Sequence, residues 1–258
     1  MQTDFLTIGG KRLEYAWWGT LAAGEGPALV FLHEGLGCVD MWRGVPEKIS
    51  ALTGLPAFAY SRFGYGRSDG ADLPRPTDYH APEAYEVLPA VLDAAGIKAA
   101  VLIGHSDGGT IALMAAGRDA RIKGIVTMAA HVFNEDVTIR GIRDARKAWQ
   151  ETALRDKLRR YHGDNVETAF FGWNDTWLTD EFRQWNVEHC LAAVTCPVLV
   201  VQGADDQYGT EQQVQAIAGG VSGRAEALIL PKCGHSPHLE APEPLFPAIN
   251  QFIAGLGL

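Results

Sequence analysis

Gly104-His105-Ser106-Asp107-Gly108-Gly109 is the stretch of this chain whose residue types and spacing could do chemistry. It lies between two apolar runs. Ala99-Ala100-Val101-Leu102-Ile103 reads as a buried parallel strand, and Thr110 to Ala116 reads as a buried helix that stops at Gly117. A Gly-x-Ser-x-Gly turn from strand to helix is so tight that the flanking residues must be glycine, and it holds the serine exposed at the strand's carboxyl end. The chemistry this suits is nucleophilic attack by Ser106. A serine hydroxyl is a weak nucleophile at neutral pH, so it needs a base, and the base needs an acid to orient it.

Both partners are present later in the chain. Val198-Leu199-Val200-Val201, after Pro197, reads as another buried strand and runs into Gln202-Gly203-Ala204-Asp205-Asp206-Gln207-Tyr208, which puts a carboxylate, Asp205 or Asp206, at its carboxyl end. Ala227-Leu228-Ile229-Leu230 reads as a strand ending in Pro231-Lys232-Cys233-Gly234-His235-Ser236. Of the eight histidines, His235 stands out as the base because it follows the last strand and Gly234. His105 reads as a packing residue of the elbow and His238 as a loop residue. Acyl transfer develops charge on an oxyanion, and the backbone N–H of Asp107, at the positive end of the following helix, is one expected donor to it.

On these features, and on His33-Glu34-Gly35 after Leu29-Val30-Phe31-Leu32, Ser61-Arg62-Phe63-Gly64-Tyr65-Gly66-Arg67-Ser68-Asp69, and Glu240-Ala241-Pro242-Glu243 after Gly234-His235, the chain resembles the α/β-hydrolase superfamily over nearly its whole length. It resembles the compact, esterase-like members with a helical cap. The resemblance implies that the acid is the fourth residue of a Gly-x-x-Asp run, which selects Asp206 over Asp205. It implies that the second oxyanion donor comes from the His33 loop, at Gly35 or, as Glu34 replaces the usual glycine, at Leu36. Glu34 is expected to be a surface carboxylate paired with Arg62 or Arg67; the alternative is a rim charge that disfavours acidic substrates.

The elements that must position these residues alternate strand and helix, so the fold class expected is α/β, a doubly wound, mostly parallel sheet behind an antiparallel N-terminal pair that turns at Gly9-Gly10. Strands are expected near 29–32, 57–60, 99–103, 124–128, 198–201 and 227–230, with ligands at their carboxyl ends. The core is expected at 1–132 and 191–258. Residues 133–190 are helix-like, charged and aromatic, and by resemblance form a helical cap. Arg140, Arg143, Arg146, Lys147, Arg155, Lys157, Arg159 and Arg160 read as a solvated face, with Asp144, Glu151 and Asp156 at helical pairing distances. Phe171 and Trp173 are expected to reach substrate from the cap, and His131 from the end of its strand. Phe63 and Tyr65 stiffen a glycine-rich turn.

A net charge of −9 over 258 residues argues against nucleic acid or an anionic membrane as partner. The N-terminus lacks a signal-peptide pattern, and there is no run long enough to span a membrane. Cys38, Cys190, Cys196 and Cys233 show no metal-ligand spacing and read as reduced, small hydrophobes of a cytoplasmic protein. No metal or cofactor motif is present. The expectation is therefore a carboxylic-ester hydrolase acting on a small molecule through an acyl-enzyme, with exposed cap aromatics offering a homodimer surface. Carbon–carbon hydrolysis of ring-fission products is the nearest rival, although such enzymes carry Gly-Asn-Ser and Gly-His-Trp where this chain has His105 and Ser236. Thioester and lactone cleavage use the same machinery. A ligand-binding receptor on the same fold is the rival from outside catalysis.

Overall fold

The computed structural model describes residues 2–19 and 26–258. Strands β1 (Gln2–Ile8) and β2 (Lys11–Trp18) pair antiparallel, as expected, about Gly9 and Gly10, both at positive φ. The rest of the sheet is parallel: β3 (Ala28–Leu32), β4 (Ala57–Tyr60), β5 (Ala100–His105), β6 (Ile122–Met128), β7 (Val198–Gly203) and β8 (Ala225–Leu230). The eight strands lie in the order β1-β2-β4-β3-β5-β6-β7-β8, so the winding direction reverses between β3 and β5. A ligand cleft is expected outside the carboxyl ends of the strands at such a reversal. The helices are α1 (Val45–Thr53), α2 (His80–Pro82), α3 (Leu88–Ala94), α4 (Asp107–Ala116), α5 (Asp136–Glu151), α6 (Leu154–His162), α7 (Val166–Trp177), α8 (Glu211–Gly220), α9 (Pro237–Glu240) and α10 (Pro242–Ala254). A π-helical turn over Glu83–Val87 joins α2 to α3.

The inner strands β3, β4, β5 and β7 are buried on both faces because helices cover both. On β3, Val30 and Leu32 join one core layer while Leu29 and Phe31 join the other; on β5, Leu102 and Ile103 divide in the same way. The first layer receives Leu88 and Val91 of α3, Ile111 and Leu113 of α4, and Val214 and Ile217 of α8. The second receives Val45 and Ile49 of α1 and Leu245, Ile249 and Phe252 of α10. Two strands begin two residues earlier than their apolar runs. Exposed Glu226 interrupts the apolar run of β8 within a continuous ladder, whereas exposed Lys123 falls at an irregularity of β6, where the register against β5 shifts between Ala100 and Val101.

Helices α5, α6 and α7 all lie between β6 and β7 and share a third apolar cluster that includes Ile142, Leu158, Phe170, Trp173 and Trp177. Their charges tie helices together more than they pair along one helix. Lys147–Glu151 is an i,i+4 pair at 3.9 Å, but Arg155 reaches Glu167 at 2.7 Å and Arg146 reaches Asp175 on α7. Among the described residues, no helix is long and apolar enough to cross a membrane.

Candidate active site

The elbow forms where β5 ends and α4 begins, and its backbone is bent hard at the serine. Ser106 stands at φ 51° and ψ −116°, a conformation that costs a non-glycine residue about 1–3 kcal/mol. The turn is that tight because α4 packs directly on the neighbouring strand: a Cβ on Gly108 would collide with the carbonyl of Leu32, and one on Gly104 with the carbonyl of Gly108. The Ser106 N–H is anchored to the Met128 carbonyl at 2.8 Å. Asp107 opens α4, so its N–H is one of the four donors without an acceptor inside the helix and points with the positive end of the helix dipole.

The Asp107 side chain turns the other way, into the core. It is 1 % exposed and takes the Arg62 guanidinium at 3.3 Å, the Tyr79 hydroxyl at 2.8 Å and His80 Nε2 at 3.4 Å. Burial works against its charge, but His80, Arg62 and Tyr79 outweigh it and hold the carboxyl well below the ordinary range. His80 itself is pushed down by burial, so it donates Nε2–H as a neutral ring while its buried Nδ1 meets no partner. Tyr79 is fixed in turn by the Trp177 indole N–H at 2.9 Å.

At the carboxyl end of β7, Asp206 and His235 are joined. His235 Nδ1 lies 2.9 Å from both carboxylate oxygens of Asp206. A carboxylate can only accept, so Nδ1 carries the hydrogen and Nε2 is left as the acceptor. Gln202 Nε2 donates to Asp206 Oδ2 at 2.7 Å and the Tyr208 N–H to Oδ1 at 2.8 Å, which fixes the carboxylate plane. Burial opposes the charge of Asp206, His235 outweighs it, and its pKa is lowered. Tyr208 packs its ring 4.7 Å from the His235 ring. Glu240 clamps the His235 turn from outside, accepting the Gly234 N–H at 2.7 Å and the Ser236 N–H at 2.9 Å. Among the described residues, no hydrogen bond joins Ser106 Oγ to His235 Nε2.

The loop after β3 closes the third side. His33 accepts the Arg62 N–H at Nε2 (3.0 Å) and donates from Nδ1 to the Glu34 carbonyl at 2.7 Å, so this ring is neutral, and burial pushes its pKa well down. Glu34 departs from expectation. Its carboxylate meets neither Arg62 nor Arg67; it lies 3.6 Å from His105 Nδ1, while Arg62 is engaged by Asp107 and Arg67 by Glu14. Both arginines sit where buried carboxylates already hold them. The indole of Trp173 lies against Gly35, closely enough that a Cβ there would overlap it. A groove of about 550 Å³ runs along α5, lined by Leu36, Tyr208, Val137, Ala145, Ala148 and Leu154 together with the charged Arg140 and Asp144.

The profile of the alpha/beta hydrolase family matches residues 29–248. The chain belongs to the alpha/beta hydrolase family. It is 29% identical to the mouse (Mus musculus) protein "Serine hydrolase BPHL" over 96% of this chain and 85% of that one. It is 27% identical to the "Pimeloyl-[acyl-carrier protein] methyl ester esterase" of Edwardsiella ictaluri (strain 93-146), over 93% of this chain and 97% of that one. Among solved structures, VinJ superposes with a TM-score of 0.77 over 99% of both chains at 24% identity.

Within this hydrolase fold, Ser106, Asp206, His235, Gly35 and the Asp107 N–H all come from loops at the carboxyl edge of the sheet. Asp205 is exposed, whereas Asp206 is the carboxylate against His235. His131 is buried beside the site, its ring 6.0 Å from that of His235 and its Nε2 donating to the Tyr208 carbonyl at 3.0 Å. Trp173 faces the site and Phe171 does not. Phe171 packs on Phe170 and Trp149 under Arg146, away from the loops that carry Ser106, Asp206 and His235. Residues two apart on a helix point to different sides, so α7 cannot present both rings to one cavity. Tyr65 is fully buried between Arg62 and Arg75, bracing its turn. Gln202, Tyr208, Glu240 and the carboxylate of Asp107 were missed as site residues. Only Glu240 left a trace in the sequence, an acid four residues after Ser236, placed to cap the N–H groups of a turn.

Proposed function

We propose that this hydrolase cleaves carboxylic esters of small molecules through an acyl-enzyme on Ser106. The observation that carries the reading is the Asp206–His235 pair at 2.9 Å, set at the same sheet edge as a serine on a strained strand–helix elbow. With Nδ1–H held by Asp206, His235 Nε2 is the atom that takes the Ser106 proton as Oγ attacks the acyl carbonyl. The N–H groups of Asp107 and of Gly35 receive the oxyanion, each donor of this kind contributing about 3–4 kcal/mol to the transition state. Collapse of the tetrahedral intermediate expels the alcohol with the proton returned from His235. Water, activated by the same imidazole, then releases the acid.

The helices of residues 133–190 act as a cap in this reading, with Trp173 over Gly35 and the groove along α5 receiving the apolar arm of the ester. Esters fit better than ring-fission diketones because His105, at the position before the nucleophile, is engaged with Glu34 and the His235 main chain. All four cysteines are free, which suits the cytoplasm. The test is hydrolysis of p-nitrophenyl esters of graded chain length by the wild type and by Ser106→Ala. The variant is expected to lose about 10⁴- to 10⁶-fold in kcat; retention of turnover removes Ser106 as the nucleophile.

A further inference from the structure

His105, beside the nucleophile, is 2 % exposed, and its two ring nitrogens face different partners. Nε2 lies 2.7 Å from the main-chain oxygen of His235, and Nδ1 lies 3.6 Å from Glu34 Oε2. A carbonyl oxygen only accepts, so Nε2 carries a hydrogen. In a neutral ring the Nδ1 lone pair would then face a carboxylate. A second proton, on Nδ1, replaces that repulsion with an ion pair.

We infer that Glu34 and His105 form a positioning pair for the catalytic imidazole, in which the Glu34 carboxylate keeps His105 doubly protonated and its Nε2–H holds the main chain of His235. The inference rests on the hydrolytic role proposed for His235. Glu34 is itself firmly placed: its carbonyl takes His33 Nδ1–H at 2.7 Å and Arg62 Nη2 at 2.9 Å, and its carboxylate fills the space where a Cβ on Gly37 would stand. The pair therefore links three loops, the one carrying Gly35, the elbow and the turn carrying His235.

Four groups bear on the charge of His105: Glu34 from the loop after β3, Asp206 from the loop after β7, His235 with its ring 5.1 Å away, and His238 of α9 with its ring 4.8 Å away. Burial disfavours the imidazolium, but Glu34, the His235 carbonyl and Asp206 outweigh it and raise the pKa. Burial also works against charge on Glu34, and His105 outweighs it, lowering that pKa. His238 is pushed down to about 3 by burial and by the charge of His105, so it stays neutral. A histidine with a raised pKa contributes stability that is complete below its unfolded value of about 6.5 and is lost as pH rises through the folded value. The clamp on His235 thus loosens on the alkaline side.

The test combines heteronuclear NMR of the imidazole nitrogens with kcat and KM for p-nitrophenyl acetate across pH. The proteins are the wild type, Glu34→Gln, His105→Gln and His105→Phe. In the wild type, His105 is expected to titrate above the ordinary histidine value, and in Glu34→Gln about 1–3 pH units lower. His105→Phe should lose about 10- to 100-fold in kcat with KM nearly unchanged. His105→Gln, whose amide can donate to the same carbonyl, should recover part of that loss. If His105 titrates at or below the ordinary value in the wild type, or if the Phe and Gln variants have equal kcat, the pair does not position His235. If Ser106→Ala retains turnover, the hydrolytic reading fails instead, with the titration of His105 unaffected.

Discussion

Replacing Arg62 by methionine should destabilise this protein far more than a surface ion-pair loss would. Arg62 is 2 % exposed, and its guanidinium places Nη1 and Nη2 at 3.4 and 3.3 Å from Oδ2 of the equally buried Asp107. The remaining partners of Asp107 are the Tyr79 hydroxyl, which is uncharged, and His80, whose charged form burial disfavours. Removing one member of a buried pair leaves an uncompensated charge, at a cost of about 3–5 kcal/mol. For a chain of this size that corresponds to a fall in Tm of about 6–20 °C, at roughly 2–4 °C per kcal/mol. The pH dependence has a defined sign. In the wild type the depressed Asp107 contributes stability that is present above its unfolded value of about 3.9 and is lost only as pH falls through its lower folded value. Without Arg62 that folded value rises, so acid unfolding should begin at higher pH. Thermal and urea unfolding of Arg62→Met, Asp107→Leu and the double variant measure this directly. The double variant should be more stable than the sum of the two losses predicts, because it removes both charges together. A loss under about 1 kcal/mol in Arg62→Met, or strict additivity, would refute the argument that this pair secures the elbow.

Asp206→Asn should lower kcat by about 10⁴-fold with little change in KM, because the amide can donate to Nδ1 and so favours the tautomer whose Nε2 cannot take a proton; a loss under tenfold would show that Asp206 does not set the tautomer. Gly108→Ala should fail to fold or lose about 3 kcal/mol or more, since its methyl overlaps the Leu32 carbonyl; a soluble variant of unchanged Tm would contradict the packing described for α4. Trp173→Ala uncovers Gly35, and the ratio of kcat/KM for long over short acyl esters should rise; an unchanged ratio would remove Trp173 from the substrate path.

The inner strands of the sheet were legible because they are buried on both faces and so leave continuous apolar runs. The sheet was least legible at Glu226, an exposed polar residue in an unbroken ladder, and at Lys123, where the ladder of β6 against β5 shifts register. The elbow was legible for a steric reason, since only glycine fits at 104 and 108. His235 was read from its place after the last strand and Gly234, whereas position after a strand left Asp205 and Asp206 open and only the resemblance's Gly-x-x-Asp run selected Asp206. What stayed hidden was the choice of partner among charged residues. Arg62 touches only the Glu34 main chain while its charge is taken by the more deeply buried Asp107, Arg67 is taken by the more deeply buried Glu14, and the Glu34 carboxylate meets His105. Such assignments depend on burial and on contacts between remote segments, which spacing along the chain does not encode. Phe171 illustrates a milder failure: helical geometry excludes it once Trp173 faces the site, but which of the two faces inward is decided by how α7 rolls on α5 and α6.

The most direct measurement of the central claim is mass mapping of the protein after brief exposure to a fluorophosphonate, with and without a competing ester. A single adduct on Ser106, suppressed by the ester and absent when His235 is replaced by alanine, is the predicted result. Labelling elsewhere with Ser106 unmodified, or labelling of Ser106 that the loss of His235 does not slow, would contradict it.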